Sequence, residues 1–534
     1  MMQSIKNLSF LALACSLIIS ALGCQQTQIA FTPKAAPKLP VFDKLTGAPE
    51  IAPLKFQQTS LSKLVPVSPK LDLYLFDDTL SGLNHLSLVA YSKLPMENLD
   101  VLLQAFDEKR AWLVQQSTLA CAESLNIRPT MHSLTISIDC PDSPILASEL
   151  LMQFWQADDV NQMGSFDEID IANVRRQLKL AKHINAYSGA EIDDVWAKKI
   201  LGKQHVYNQA LNDKTLADEL DLSSLNQVRD KILAQSNWAF FANRSLEQDQ
   251  GFTLAVTQQF ESLMSIASKA ELSNSKANSE AYSEANSEKS TDSATISGSA
   301  INTRTETSTS ADIPPSNNNK TLYLIDVPGS VQTQVRIGYP LGNMLDGSDN
   351  DNDKSIDSAQ DCKLLASWLG RSFSGRLYYD LREIRGLTYG IYGRCFDNPL
   401  SRTLKFYGST KLEHSGAFIS GVLDHLALTT DSTASLDELT ALKTYLTSQQ
   451  ILRQANFRAV EADTIKQLIR GVSPEQELAQ NQRLSKLTPE QLQQIARSVF
   501  LNTPYIVIRG DRDKIEADLK HKLADWNIVE VVAD

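Results

Sequence analysis

The chain has 534 residues and a net charge of −12, with 42% hydrophobic and 21% charged residues. That length exceeds what one hydrophobic core supports, so roughly two to four domains are expected. The acidic balance and the lack of a long basic run argue against a nucleic-acid partner.

Lys6 followed by the apolar run Leu8 to Leu22 reads as a signal-peptide core, too short to span a bilayer comfortably. It ends in Ala21-Leu22-Gly23-Cys24, which resembles a bacterial lipoprotein cleavage box, although the Ala-Leu order departs from the commoner Leu-Ala. Residues 1–23 are therefore expected to be a signal peptide, with lipid on Cys24 anchoring the chain to a membrane surface without a spanning helix. The alternative is a plain secretory signal with an incidental cysteine. By resemblance to diderm lipoproteins, Gln25 after the cysteine points to the outer membrane, facing the periplasm. Residues 24–55, with Pro33, Pro37, Pro40, Pro49 and Pro53, read as an extended tether.

A compact region is expected over 56–262 and a second over 320–534. Between them, 263–319 is rich in Ser, Asn, Thr, Ala and Glu, with almost no large hydrophobes, and reads as a disordered linker. The compact regions look like copies. Leu220, Asp221, Leu225, Val228 and Ile232 form a capped apolar helix face, and Leu487, Thr488, Leu492, Ile495 and Val499 repeat it 267 positions on. The strand-like Trp238 to Phe241 and Tyr505 to Ile508 follow at the same offset. The alternating stretches Ser133 to Ile138 and Thr403 to Tyr407 each precede a turn and an amphipathic helix. The expected class is α+β: two homologous halves of antiparallel sheets packed with long helices, joined by a linker.

Removing Cys15 and Cys24 leaves Cys121, Cys140, Cys362 and Cys395. An exported location permits disulfides. Pairing Cys121 with Cys140 and Cys362 with Cys395 keeps each bridge inside one half, but the four allow three connectivities and the sequence does not choose. No CxxC pair is present, which argues against a cysteine zinc site.

Several stretches in order resemble the insulinase/pitrilysin-type zinc peptidases. In the second half these are Ile325 to Ser330, Gln334 to Pro340, the glycine-punctuated Leu369 to Tyr392 and the closing Ile508-Arg509-Gly510-Asp511. In the first half Phe166-Asp167-Glu168 with Val174 to Leu178 looks like a family helix, and Leu201 to Tyr207 looks like the family's Phe-Gly-x-His-Pro-Tyr loop. The resemblance covers roughly residues 80–262 and 320–515 and implies two halves closing as a clamshell. Active members carry His-x-x-Glu-His on a first-half helix: two histidines on one face bind zinc, a glutamate activates the bound water, and a second helix adds a carboxylate.

None of the seven histidines here lies in such a setting. The matching helix, Glu97 to Leu113, has no histidine, and the third-ligand position falls near Ala181, flanked by Lys179 and Lys182. No metal site is expected on this chain. His85, His132, His414 and His425 read as structural or exposed, and His205 as a structural hydrogen-bonding residue. Ser372 and Ser374 do not meet a Gly-x-Ser-x-Gly pattern. The acidic stretch Asp346, Asp349, Asp351, Asp353, Asp357 and Asp361 lacks the glycine and closing glutamate of a calcium loop and reads as a solvated surface insertion.

Arg382 and Tyr389 remain, at the seven-residue spacing of the arginine and tyrosine that, in the family, reach across the cleft to the zinc site. The resemblance implies a non-catalytic subunit with no catalytic residue of its own. Its partner would be a zinc-motif peptidase chain of the same family, zinc would sit on that partner, and Arg382 and Tyr389 would contact the peptide substrate and its transition state in trans. Two other readings stay open: a stand-alone peptide-binding or scaffold lipoprotein, and a metallopeptidase with an unconventional site.

Overall fold

The computed structural model describes residues 61–63, 70–76, 82–141, 143–156, 170–187, 190–209, 220–243, 251–265, 319–341 and 352–532. The expected signal peptide, the tether, nearly all of the linker and the Phe166-Asp167-Glu168 motif lie outside them.

The first half runs β1 (Leu61–Lys63), β2 (Leu71–Phe76), β3 (Asn84–Tyr91), α1 (Leu99–Gln116), β4 (Asn126–Pro129), β5 (Ser133–Cys140), α2 (Pro144–Gln153), α3 (Ile171–Tyr187), α4 (Glu191–Leu201), α5 (Leu222–Gln235), β6 (Asn237–Asn243) and α6 (251–265). The second runs β7 (Thr321–Asp326), β8 (Gln332–Pro340), α7 (Asn352–Gly370), a π-helical segment (Tyr379–Ile384), β9 (Thr388–Asn398), β10 (Ser401–Lys411), α8 (Ser415–Asp431), α9 (Leu436–Gln454), α10 (Phe457–Arg470), α11 (Pro474–Lys486), α12 (Pro489–Phe500), β11 (Tyr505–Gly510), α13 (Arg512–Lys522) and β12 (Asn527–Glu530). Asp353, Asp357 and Asp361 of the acidic stretch fall within α7 rather than in a loop, and Asp361 pairs with Arg483.

Each half builds one six-stranded sheet, in the orders β1-β2-β6-β3-β5-β4 and β12-β7-β11-β8-β10-β9. The expected α+β class and duplication are met, with sheets that are mixed: β2–β6 and the matching β7–β11 are parallel, and the ladders from there to β4 and β9 are antiparallel. Only the outermost strands beside β2 and β7 differ, β1 being antiparallel to its neighbour and β12 parallel. Asp221 and Thr488 both cap their helices through capping boxes, as the repeat implies.

The strand match shifts by one residue. Trp238 and Phe240 face their own half's core, whereas Tyr505 and Val507, at the 267 offset, face the other half. Side chains alternate along a strand, so β11 starting one residue further from its Thr488 cap than β6 does from Asp221 exchanges the faces.

One face of each sheet packs on its own half's helices, giving two separate cores. The opposite face is covered by a helix from the other half. From the first half, α4 lays Ile192, Val195, Trp196 and Ile200 on Ile325, Tyr505 and Val507. From the second, α10 lays Ile465 and Ile469 on Tyr74, Phe76, Val89 and Phe241. This exchange buries apolar surface that neither half covers alone. Gly338 makes room for it: a Cβ there would stand 2.2 Å from the Leu404 carbonyl oxygen and 2.6 Å from Trp196.

Candidate functional site

On α1, where the resemblance puts the family's metal helix, the chain builds a structural contact. Helix α1 turns Leu99, Leu102, Phe106 and Leu113 into the core, and Lys109 goes in with them, 1% exposed. Its ammonium donates to the Phe154 and Gln156 carbonyls at the end of α2, at 3.2 and 3.3 Å. A buried cation satisfied by carbonyl oxygens is poorly suited beside a divalent ion. Glu108 accepts from Asn173 of α3, the helix that carries Ala181. Among the described residues no group of three or more His, Cys, Asp or Glu is placed to hold a metal ion, and α1, with its buried Lys109 and no histidine, does not fit zinc.

Arg382 and Tyr389 sit on a firmly held frame in the second half. Gly370 ends α7 against Gly393 of β9, so closely that a Cβ on Gly370 would lie 2.0 Å from the Gly393 nitrogen. Cys362 of α7 and Cys395 of β9 form a disulfide beside this contact, and Cys121–Cys140 forms the other, so each bridge stays within one half. Ser374 accepts from Arg371 in the turn between, a structural role. Arg376 grips Glu438 of α9 through two bonds of 2.6 and 2.8 Å, and Trp368 donates to the same carboxylate. Leu381 is buried against Gly421 of α8.

Between these anchors the backbone widens into the π-helical segment, where Arg385 N–H reaches the Asp380 carbonyl five residues back. Asp380 binds Arg385 and His425, each at 2.8 Å. Burial works against its charge, but these two partners hold its carboxyl below the usual carboxylate range. Arg382 is left outside that network: its guanidinium lies 4.8 Å over the Tyr378 ring, with Glu383 at 3.6 Å. Tyr389, near the start of edge strand β9, is 90% exposed. Phe373, Tyr379, Ile384 and Tyr392 are exposed in the same stretch, and Phe373, Tyr378, Tyr392 and Tyr407 follow one another at ring separations of 5.2, 6.5 and 5.7 Å. A cation and a phenol free of strong partners, within an aromatic surface beside an open strand edge, suit an extended peptide and charge developing on its carbonyl oxygen.

Two histidines, His85 and His205, bind the halves together. His205 donates to the Leu400 carbonyl in the β9–β10 turn, at 3.3 Å, which meets its expected structural role. Tyr207 accepts from Leu400 N–H at 3.0 Å and lies 2.8 Å from His132. His85, which showed no partner in the sequence, joins Asp139 at 2.6 Å and Glu461 of α10 at 2.8 Å. Ser87 Oγ lies 3.1 Å from His85 Nε2, so Ser87, His85 and Asp139 have the spacing of a nucleophile relay. Ser87 is wholly buried, however, and the Glu461 carboxylate occupies the side a substrate carbonyl would need.

Residues 283–446 match the family model described as the peptidase M16 inactive domain. No curated protein matches the sequence. Among solved structures, the chain is similar to a peptidase M16 inactive domain from Pseudomonas fluorescens, with TM-score 0.58 and 15% identity over 84% of this chain and 98% of that one. It is also similar to a protease from Helicobacter pylori, with TM-score 0.57 and 11% identity over 85% and 100%. A putative M16-like peptidase from Alicyclobacillus acidocaldarius gives TM-score 0.57 and 8% identity over 84% and 98%. These likenesses carry the fold alone, and the family model covers part of the sequence: over residues 283–446 the chain is similar to the peptidase M16 inactive domain.

Proposed function

We propose that the chain is the non-catalytic subunit of a two-chain peptidase, pairing with a zinc-bearing chain of the same family and presenting Arg382 and Tyr389 to the peptide held there. The observation that supports this is a contrast. The metal helix is occupied by a carbonyl-bound Lys109, while Arg382 and Tyr389 stand exposed on a braced frame. In such a complex the Arg382 fork binds a substrate carbonyl and the Tyr389 hydroxyl donates to the oxyanion that forms when water attacks. Lipid on Cys24 holds the complex at the periplasmic face of the outer membrane.

The test is affinity purification of the tagged chain from membranes, followed by peptide hydrolysis with wild-type, Arg382→Ala and Tyr389→Phe chains. A zinc-containing partner and a loss of about 10²–10³ in kcat/KM for each variant are expected. Purification without a partner, with no change in cellular proteolysis, favours the stand-alone peptide-binding lipoprotein. Stoichiometric zinc in the chain alone favours an unconventional metallopeptidase.

A further inference from the structure

We propose that one side of the interface between the halves is locked by a proton on His85, and that losing this proton releases α10 from the first sheet while the α4 contact stays in place as the hinge.

The geometry comes first. His85 is 2% exposed and its two ring nitrogens meet two carboxylates: Nδ1 lies 2.6 Å from Asp139 Oδ1 and Nε2 lies 2.8 Å from Glu461 Oε2. Carboxylates accept and do not donate, so both bonds exist only when both nitrogens carry hydrogen, which is the imidazolium. The other interface histidines are wired differently. His205 donates from Nε2 to a carbonyl and accepts the Tyr207 N–H at Nδ1. His132 can donate from Nδ1 to the Ser92 carbonyl and accept the Tyr207 hydroxyl at Nε2. Neutral rings satisfy both arrangements, and burial lowers the proton affinity of each. His85 is the exception: burial works against its charge, but the bonds to Asp139 and Glu461 raise its pKa above the ordinary value.

The groups around His85 set the response to deprotonation. Ser87 of β3 donates to Glu461 Oε2 at 3.2 Å, and Asn243 of β6 accepts the His85 backbone N–H. Arg128 of β4 binds Glu461 Oε1 at 2.7 Å, and Arg458 of α10 binds Asp139. Phe457 of α10 lies 4.8 Å from the imidazole and Phe76 of β2 6.4 Å. When His85 gives its proton to water, Nδ1–H stays on Asp139 and Nε2 becomes an acceptor. The Ser87 hydroxyl turns to it, and Glu461 Oε2, wholly buried, loses both donors. A buried carboxylate held only by half-exposed Arg128 drives α10 outward.

The mirror contact lacks this switch. Asp193 of α4 is held by Arg336 and Lys405, and Glu191 by Arg509, with no histidine among them. The sign follows from the raised pKa. The lock is complete below about pH 6.5 and is lost as pH rises through the higher value of the closed state.

Hydrogen exchange read by mass spectrometry on the full chain, at about pH 6 to 9 with labelling times corrected for intrinsic rates, tests this. Protection of peptides from 457–470 should fall at least about tenfold across that range, while peptides from 191–201 keep theirs. In His85→Gln the 457–470 protection should lose its pH dependence. Protection that falls equally on both helices, or a pH dependence that survives in His85→Gln, overturns the proposal. If the variant does not fold, the wild-type chain with 13C-labelled histidine decides: a His85 ring still cationic at about pH 7 supports the lock, and a neutral one refutes it.

Discussion

The Cys362–Cys395 bridge encloses the whole candidate site, since Arg382 and Tyr389 both lie between its cysteines. It ties α7 to edge strand β9 across a sequence separation of 33 residues. By the chain-entropy relation, closing a loop of that length removes about 12 cal/mol/K from the unfolded chain, or about 3.7 kcal/mol at 25 °C. The folded frame has other supports: the Gly370–Gly393 contact, the Arg376–Glu438 fork and the ladder between β9 and β10. A Cys362→Ala/Cys395→Ala chain should therefore fold, with the second half less stable by about 3 to 4 kcal/mol. Urea unfolding followed by tryptophan fluorescence reads the loss as a lower midpoint, with a steeper slope as the freed unfolded chain exposes more surface, and hydrogen exchange should accelerate most in β9. A loss below about 1 kcal/mol with unchanged β9 exchange would show that the bridge restrains little that the frame does not already hold.

Trp196→Ala removes the largest side chain in the α4 contact, beside Gly338 and under the Lys405 ammonium at 4.9 Å. It should cost about 3 to 5 kcal/mol and loosen the halves, measured by urea unfolding and small-angle scattering. The Asp193 carboxyl, opposed by burial but held by Arg336 and Lys405, titrates at about 2. Its folded pKa is depressed, so its contribution is complete above about pH 4 and is lost as pH falls through about 2. Acid-unfolding profiles of wild type and Asp193→Asn should differ above about pH 4 and converge as pH falls through that window. Arg382→Ala should change stability by less than about 0.5 kcal/mol, because the side chain has no strong partner and its anchors are other residues. Thermal unfolding checks that any lost activity is not lost folding.

What the sequence revealed were features carried by local spacing. The helix faces at Leu225 and Leu492, the caps at Asp221 and Thr488, and a metal helix without histidine are each visible within a few turns. The disulfides were narrowed to three connectivities, and the choice needed the actual proximity of α7 to β9. Hidden features depended on long-range register. His85 and Glu461 lie 376 positions apart and have no common motif. The exchanged strand faces follow from one extra residue between helix cap and strand, which an offset count does not see. Nothing local in the sequence marks Lys109 as buried; the close approach of α2 buries it.

The duplication explains how the two sheets are covered. Each half hides one sheet face under its own helices and the other under a helix of its twin, so the fold rests on two cores and two exchanged contacts. Helix α1 keeps its packing face, with Lys109 on the carbonyls at the end of α2. The braced π segment and edge strand β9 are a different matter. Their anchors are elaborate for a surface that buries little, and they end in an exposed arginine, tyrosine and aromatic stretch. Rigid support under exposed side chains raises stability little, but it lowers the entropy cost of meeting a ligand in one geometry. The two halves thus differ within one plan: the first spends Lys109 on core packing, and the second holds an exposed arginine, tyrosine and aromatic stretch on a braced frame.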